Sequence, residues 1–174
     1  NISEYINDEI TYLLNTKIRE YANDNNYNEL FKIMIDDKYE IKYLHTNKYC
    51  DLFAFCNNIE CLKYAHENGC PWDENICSNA AYNGHLKCLK YAYENGCELD
   101  KYTCSKSALN GNLECLKYAH ENGCEWNILT CFYAAINGHF ECLKYAYENG
   151  CSFNKRYLTD CMPENCKKYI ETYM

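Results

Sequence analysis

The feature that most constrains this chain is a ten-residue stretch that occurs four times at a fixed spacing. CLKYAHENGC begins at Cys61 and Cys115, and CLKYAYENGC begins at Cys88 and Cys142, so each copy starts 27 residues after the last. A period of this size is typical of solenoids, in which each unit buries its apolar side against its neighbours. A degenerate half-unit, YCDLFAFCNNIE, precedes the first copy in register at residues 49–60.

Each unit is predicted to form two short helices joined by a turn. In one unit the first helix runs near residues 77–82 and the second near residues 85–94, and an Asn-Gly pair follows each. Gly just past a helix supplies the left-handed residue that closes its last turn. Cys88, Leu89 and Ala92 fall on one helical face. The pattern therefore predicts an all-α fold, an α-solenoid of stacked helix–turn–helix repeats.

The ends of the chain are predicted to differ from the array, because solenoid ends need atypical capping units. We expect an N-terminal helical cap over residues 1–48, with helices over 3–22 and 28–36. The repeat array would then span residues 49–154, and a capping unit residues 155–174.

The C-terminal sequence PENCKKYIETYM follows the pattern of NGHLKCLKYA, with Lys167 in place of the inward-facing Leu89. A lysine there suits an exposed end of the stack. Cys161 and Cys166 fall outside the repeat register, and the repeat pattern assigns them no role beyond the cap.

The stretch CSNAAYNGHLKCLKYAYENGC at 77–97 resembles an ankyrin repeat, whose consensus runs TPLHxAAxxGHLEVVKLLLEAGADVN. The unit is shorter than an ankyrin repeat, and the deficit falls where that family places its β-hairpin. The repeated wording CLKYAHENGC is similar to the ankyrin-like repeat proteins of giant amoeba-infecting DNA viruses of the mimivirus kind. The resemblance implies an array that binds proteins through its concave face. The matching residues are Ala80, Ala81, Gly84, His85, Leu86, Lys90, Glu94 and Gly96.

The chain has 15 cysteines, and most follow the repeat. In the register that the resemblance implies, they fall at three interior positions of each unit: one on the first helix, one on the second helix, and one directly after the helix-ending Gly. Free Cys behaves there as a small apolar residue, so we expect reduced packing residues. The residues concerned are Cys77, Cys104 and Cys131 on the first helix, Cys88, Cys115 and Cys142 on the second, and Cys70, Cys97, Cys124 and Cys151 after Gly.

Three alternatives for the cysteines remain open. A disulfide between Cys77 and Cys88 is the strongest, since they lie on facing helices and viruses of the resembled kind encode thiol oxidases; the odd count and the reducing cytosol oppose it. Zinc would need converging ligands, but the His66-x3-Cys70 pattern is lost in alternate units, where Tyr93 replaces the His. A catalytic Cys is usually singular. We therefore predict no metal, no cofactor and no enzymatic activity.

Two other recurring positions are assigned to packing. The His of NGH begins the second helix of a unit, and we expect a local cap or a packing contact there. A bulky residue six positions after the His or Tyr of CLKYA[HY]ENGC is expected to close the core where the hairpin is missing. The latter residues are Trp72, Leu99, Trp126 and Phe153.

Charge and hydropathy exclude two classes of partner. The formal net charge is −8, with Asp+Glu 25 against Lys+Arg 17, and no basic stripe occurs, so nucleic acid is not expected. No apolar run is long enough to span a bilayer, so no membrane association is expected. The first residues, NISEYINDEI, show no charged-then-apolar signal pattern, although the chain does not begin with Met.

Positions that differ between units are expected to carry specificity. They map to the loop between units and to the side of the first helix that we expect to be exposed, at residues 71, 74, 75, 78, 79 and 82 of the first full unit. The third unit is strongly apolar there, and such a patch marks either an interaction site or local packing. The predicted partner-binding residues are Tyr82, Tyr102, Lys106, Leu109, Ile128, Leu129, Phe132, Tyr133 and Ile136.

Two functions of different classes follow. The first is a non-catalytic protein-interaction module, a viral adaptor that binds a host or viral protein in the host cytoplasm. The second is a structural component of a virion or assembly, held by self-association and by disulfides. A metal- or redox-active protein ranks third.

Overall fold

The computed structural model describes Ala54, residues 57–67, Gly69, residues 75–157 and residues 159–173. The elements in these ranges are helices and turns, with no strand, so the predicted all-α fold is confirmed. The N-terminal cap predicted for residues 1–48 lies outside the described residues. The helices are α1 (Ile59–Glu67), α2 (Asn75–Tyr82), α3 (Leu86–Glu94), α4 (Thr103–Leu109), α5 (Leu113–Glu121), α6 (Ile128–Ile136), α7 (Phe140–Glu148) and α8 (Glu164–Tyr173), with a 3₁₀ turn (Lys155–Tyr157) before α8.

The helices end where the Asn-Gly pairs predict. At the end of α3, Gly96 has φ +92°, its N–H donates to Tyr93 O at 3.0 Å, and Cys97 N–H donates to Ala92 O at 3.0 Å. This pair of bonds is the Schellman motif, which satisfies the last carbonyls of a helix and brings the residue after Gly back onto the helix. Cys97 and Ala92 are both buried, so the motif itself carries this cysteine into the core.

The helices form two layers. The first helices of successive units make the inner layer, in which α4 packs against both α2 and α6. The second helices make the outer layer, in which α3 packs against α1 and α5, and α7 packs against α5. Each inner helix also packs against the outer helix of its own unit. The core thus lies between the two layers of helices and runs along the stack.

The core repeats with the sequence. The Leu of CLKYA is fully buried in each of the four copies, at Leu62, Leu89, Leu116 and Leu143. Removing one such side chain from water contributes about 2 kcal/mol. Leu99, between α3 and α4, packs against the buried residues on both sides of it, which makes the core continuous.

The twelve described cysteines are free thiols, and all but Cys161 are buried. Burial confirms nine of the ten interior positions expected, and the tenth, Cys70, lies outside the described residues. Burial raises the pKa of Cys88 and of Cys115 to about 11 and that of Cys142 to about 12. These thiols therefore stay protonated near neutral pH, as packing residues should.

The inner-helix cysteines contact the cysteines that follow the helix-ending Gly. Cys77 Sγ lies 3.7 Å from Cys97 O, and the same contact recurs between later pairs. A hydrogen bond between the two thiols, and then burial, raises the pKa of Cys77. The recurring contacts are Cys104 Sγ to Cys124 O at 3.8 Å and Cys131 Sγ to Cys151 O at 3.7 Å.

Successive units are joined by the third residue of the turn in the NGN stretch at 110–112 and in the NGH stretch at 137–139. His139 Nε2 lies 3.2 Å from Leu109 O, and Asn112 Nδ2 lies 3.0 Å from Ala81 O and 2.7 Å from Tyr82 O. Each side chain therefore covers the carbonyls at the end of the preceding unit's inner helix. The packing role expected for this His is confirmed, but the local cap is wrong, because its side chain makes no capping bond to its own helix.

Gly111, in the turn before Asn112, is required for two reasons. Its φ is +72°, which disfavours any residue with a side chain. A Cβ placed there would also lie 2.5 Å from Nδ1 of His139, the side chain seated over the turn. Gly123, after α5, has φ +92° but no atom within 4 Å of such a Cβ.

Rings link the outer helices of neighbouring units. The second-to-last residue of each outer helix is His or Tyr, and the Tyr of the next CLKYA meets it edge-on. Because either ring can make this contact, the alternation of His and Tyr has a packing explanation. The pairs are His66–Tyr91, Tyr93–Tyr118, His120–Tyr145 and Tyr147–Tyr169, with centroids 6.0 to 6.2 Å apart.

The last helix closes the described array. α8 packs against α6 and α7, with Cys166 and Ile170 buried. Lys167 is not at an exposed position as expected, since only 21% of its side chain is accessible. Its ammonium donates to Asp160 O at 3.0 Å and lies 3.9 Å from Asp160 Oδ1, so a satisfied lysine can replace the Leu of the other units.

Candidate interaction surface

The predicted binding residues lie on or beside the inner layer, where they form rows that cross the units. Lys106 of α4 is equivalent to Tyr133 of α6, and Tyr102 is equivalent to Leu129. A third row joins the last residues of the three inner helices, Tyr82, Leu109 and Ile136. We call the solvent-facing side of α2, α4, α6 and the 3₁₀ turn, with the residue before each helix, the inner face.

Three of the nine predicted residues are well exposed. Ile128 is 51% exposed, Tyr102 46% and Tyr82 36%. The other six are half-buried: Lys106, Leu109, Leu129, Phe132, Tyr133 and Ile136. The inner face therefore presents rings and aliphatic groups that are partly supported from below, which is how interaction anchors are usually held.

The apolar set of the third unit divides into two parts. Phe132 and Ile136 pack against the buried core, so local packing accounts for much of their surface. Ile128 and Leu129, at the start of α6, lie at the outer edge of this set. Tyr133 belongs with the first part, since its ring lies 5.8 Å from that of Phe132.

Asn127 fixes the position of Ile128 and was not singled out by the sequence reasoning. Its side chain accepts from Leu129 N at 2.8 Å, which caps α6, and its Nδ2 donates to Lys101 O at 2.6 Å and to Ser105 Oγ at 3.0 Å. The start of α6 is thereby held against the start of α4. An Asn directly before an apolar helix is a recognised N-cap signal and could have identified it.

One group of positions expected on the exposed side is buried. Ser78 and its equivalent Ser105 are 0% and 2% exposed, so the expectation that this row faces solvent is wrong. Ser78 Oγ donates to Asn75 O at 3.1 Å and accepts from Lys106 Nζ at 2.7 Å. A small hydroxyl side chain fits between two inner helices, and it binds Lys106 to the neighbouring unit.

The inner face continues beyond α6, where the repeat wording fades. The ring of Tyr157 lies 5.6 Å from that of Phe132, which places the 3₁₀ turn beside α6. Arg156 lies over the Tyr157 ring at 4.8 Å and donates from Nη2 to its hydroxyl at 2.6 Å. Sequence reasoning missed both residues, although Arg156 lies 27 positions after Leu129.

A recess lies in the loop between α5 and α6. An open cavity of about 400 Å³ is lined by His120, Gly123, Cys124, Glu125 and Trp126. His120 is stacked on Trp126 with centroids 4.0 Å apart, and Trp126 Nε1 donates to Asn149 O at 2.8 Å. The indole is therefore a structural link between units.

The bulky residues that were predicted to close the core pack against it at the three positions that the structure describes. Leu99, Trp126 and Phe153 pack against buried residues, and Trp72 lies outside the described residues. Over the ranges given above, no three His, Cys, Asp or Glu side chains converge in a way that could hold a metal ion. No helix in these ranges is long and apolar enough to cross a bilayer.

Stacked two-helix units with a core between two helical layers define an all-α repeat solenoid. A family model described as ankyrin repeats (many copies) matches residues 104–146, which run from α4 to α7. The described array is thus ankyrin-like, and ankyrin repeats are in general protein-interaction modules without enzymatic activity. A search of curated proteins gives no significant match.

Proposed function

We propose that this protein is a non-catalytic interaction module that binds a partner protein through its inner face. The observation that carries the proposal is the exposed pair of apolar anchors at neighbouring unit starts, Tyr102 and Ile128, which are 46% and 51% exposed. Both positions differ between units, whereas the buried residues of CLKYA are the same in every unit. Ankyrin repeats are generally interaction modules, which supports this reading.

The proposal extends to a biological setting. The repeated CLKYAHENGC resembles the ankyrin-like proteins of giant amoebal viruses, so we propose a viral adaptor whose partner is a host or viral protein. It would act in the host cytoplasm or be carried in the virion. No nucleic acid, membrane or cofactor takes part in this function.

The test is affinity capture from lysate of infected amoebae, followed by measurement of Kd with the purified partner. The variant Tyr102→Ala/Ile128→Ala removes both anchors without adding charge, and Ala favours the helix at residue 128. We expect the Kd to rise at least about tenfold, because truncating an interface anchor commonly costs more than 1 kcal/mol.

The matched control is Tyr173→Ala in α8, which removes an exposed ring (62% exposed) from the outer layer. It should leave the Kd unchanged, and both variants should unfold at the wild-type temperature. A partner that is held equally by wild type and by the double variant would contradict the proposal. Capture of nothing but further copies of the chain would favour the structural alternative, a component of a particle held by self-association.

A further inference from the structure

The charges of the two layers are segregated. The inner helices α2, α4 and α6 and the 3₁₀ turn contain no Asp or Glu, although the chain as a whole has a formal net charge of −8. Every described outer helix contains at least one Glu. The inner face instead presents cations at Lys106, Lys155 and Arg156, and Lys101 lies two residues before α4. Glu74, the equivalent of Lys101 in the first full unit, lies outside the described residues. The net charge therefore does not show that positive charge is concentrated on one face of this acidic chain.

The cations of the inner face, and Lys101 beside it, are supported by neutral groups. Lys106 donates to Ser78 Oγ, Lys101 lies over the ring of Tyr102 at 5.1 Å, and Arg156 lies over that of Tyr157. Within the described residues none of these cations has a carboxylate at ion-pair distance. In the outer layer, two lysines do have such a partner, since Lys63 and Lys117 lie 3.7 and 3.0 Å from glutamates of their own helices.

The carboxylate closest in sequence is already engaged. Asp100 Oδ1 accepts from Tyr102 N at 3.1 Å and from Thr103 Oγ1 at 2.7 Å, so it caps the start of α4. Glu98 and Glu125 lie in the loops between units and not on the inner helices. Asp100 keeps its negative charge directly beside Lys101 in the sequence, so the positive charge left for an external anion is that of Lys106, Lys155 and Arg156.

The cations flank the apolar anchors. Lys106 lies on α4 and Arg156 on the 3₁₀ turn, to either side of α6, which carries Ile128 and Leu129. A matching ligand has negative groups on both sides of an apolar one. A peptide with Asp or Glu around Leu or Phe has this pattern. A nucleic acid offers phosphates without an aliphatic anchor, and its backbone needs a denser basic stripe.

We propose that the inner face binds an acidic peptide segment of its partner, with carboxylates at Lys106 and Arg156 and an apolar side chain on Ile128 and Leu129. This inference rests on the proposed function and names the chemistry of the partner. Electrostatic complementarity of this kind selects partners and speeds their encounter, and salt weakens it.

The probe is a short fluorescent peptide of Glu and Asp around a central Leu and Phe, and its Kd is measured by anisotropy at low and at physiological salt. Companion peptides carry Gln and Asn in place of the acids, or Ser in place of the Leu and Phe. We expect the acidic peptide with its apolar centre to bind at least about tenfold tighter than either companion. Its Kd should rise with salt.

Two charge-matched variants locate the site. Lys106→Gln/Lys155→Gln/Arg156→Gln removes inner-face cations, and Lys87→Gln/Lys144→Gln/Lys168→Gln removes the same charge from exposed outer-layer positions. The inner variant should weaken the peptide about tenfold, and the outer variant by less than about twofold. Lys155→Gln/Arg156→Gln, at two exposed residues, serves if loss of the Lys106–Ser78 bond unfolds the triple variant.

Several outcomes would overturn the inference. Equal binding of the acidic and the amide peptides would do so, as would equal losses in the two charge variants. Tighter binding of single-stranded DNA of the same charge would identify a general polyanion surface. If a captured partner still requires Tyr102 and Ile128 while the acidic peptide has no advantage, only this inference fails; if no partner requires them, the proposed function fails as well.

Discussion

The outer and inner layers differ in which of their residues are the same in every unit. The outer helices α1, α3, α5 and α7 repeat CLKYA with a fixed Leu, Ala and Cys in the core and make a ring contact to the next unit, and α1 and α5 also contain a Lys–Glu pair. The inner helices keep a buried Cys and Ala but change their exposed side from polar in α2 to apolar in α6. Both layers therefore hold the stack together, since α4 packs against α2 and α6 and Lys106 reaches Ser78 of the preceding unit. The outer layer keeps the same residues from unit to unit, whereas the inner layer varies on its exposed side.

The largest difference is expected between a leucine of each layer. Leu116→Ala in α5 should lower the free energy of unfolding by about 3 kcal/mol, because the side chain is fully buried. Leu109→Ala in α4 should cost about 1 kcal/mol, because that side chain is only half-buried. Urea titration followed by circular dichroism measures both. Equal losses would mean that the inner face is part of the core.

A smaller effect should appear at the turn that joins the layers. Gly111→Ala should cost about 2 to 3 kcal/mol, since it adds a clash with His139 to an unfavourable positive φ. Gly123→Ala has the strain alone and should cost about 1 kcal/mol. Both values come from thermal or urea unfolding.

A second substitution separates clash from strain. In the Gly111→Ala background, His139→Ala should recover stability, although in the wild type it removes a bond to Leu109 O. If His139→Ala destabilises the wild type and the Gly111→Ala variant equally, the His139 ring does not clash with a side chain at residue 111.

The smallest effect concerns the buried thiols of the outer layer. Burial raises the pKa of Cys115 from 9.0 to about 11, so the folded state keeps a proton that the unfolded state loses above pH 9. This contribution is fully present below pH 9 and is lost as the pH rises towards 11. Between pH 8 and pH 10 it should lower the free energy of unfolding by about 1 kcal/mol.

Cys115→Ala isolates the thiol from Lys and Tyr groups that titrate in the same range. Its urea midpoint should fall less than that of wild type between pH 8 and pH 10, and Cys142→Ala in α7 should behave likewise, because burial raises the pKa of Cys142 to about 12. A variant that keeps the full alkaline loss would show that the replaced thiol ionises as freely when folded.

The sequence was sufficient for features that depend on the period. The Asn-Gly pairs placed the helix ends, and the register placed Cys88 and Cys97 in the core. It failed where a contact depends on the neighbouring unit. Ser78 is buried because Lys106 of the next inner helix reaches it, and His139 caps a helix 30 residues earlier. A single unit contains no signal for either contact.

Only part of the candidate surface could be predicted, again because one unit does not show how its side chains pack on the next. Tyr102 and Ile128 vary between units and are exposed, as variation alone suggests. Phe132 varies too but packs on the core, because residue type does not tell an exposed ring from one that fills a gap. Arg156 was missed because the wording of the repeat fades just before it, while the fold does not.

The turn contact of His139 and Asn112 has a consequence for how such a gene can change. Each side chain reaches the preceding unit, and each turn receives one from the next. Duplication of a whole 27-residue unit therefore brings its own contacts on both sides and leaves every neighbour satisfied. An insertion of any other length would misplace all of them at once. Array length can then evolve in whole units, while each new copy is free to diverge on its inner helix alone.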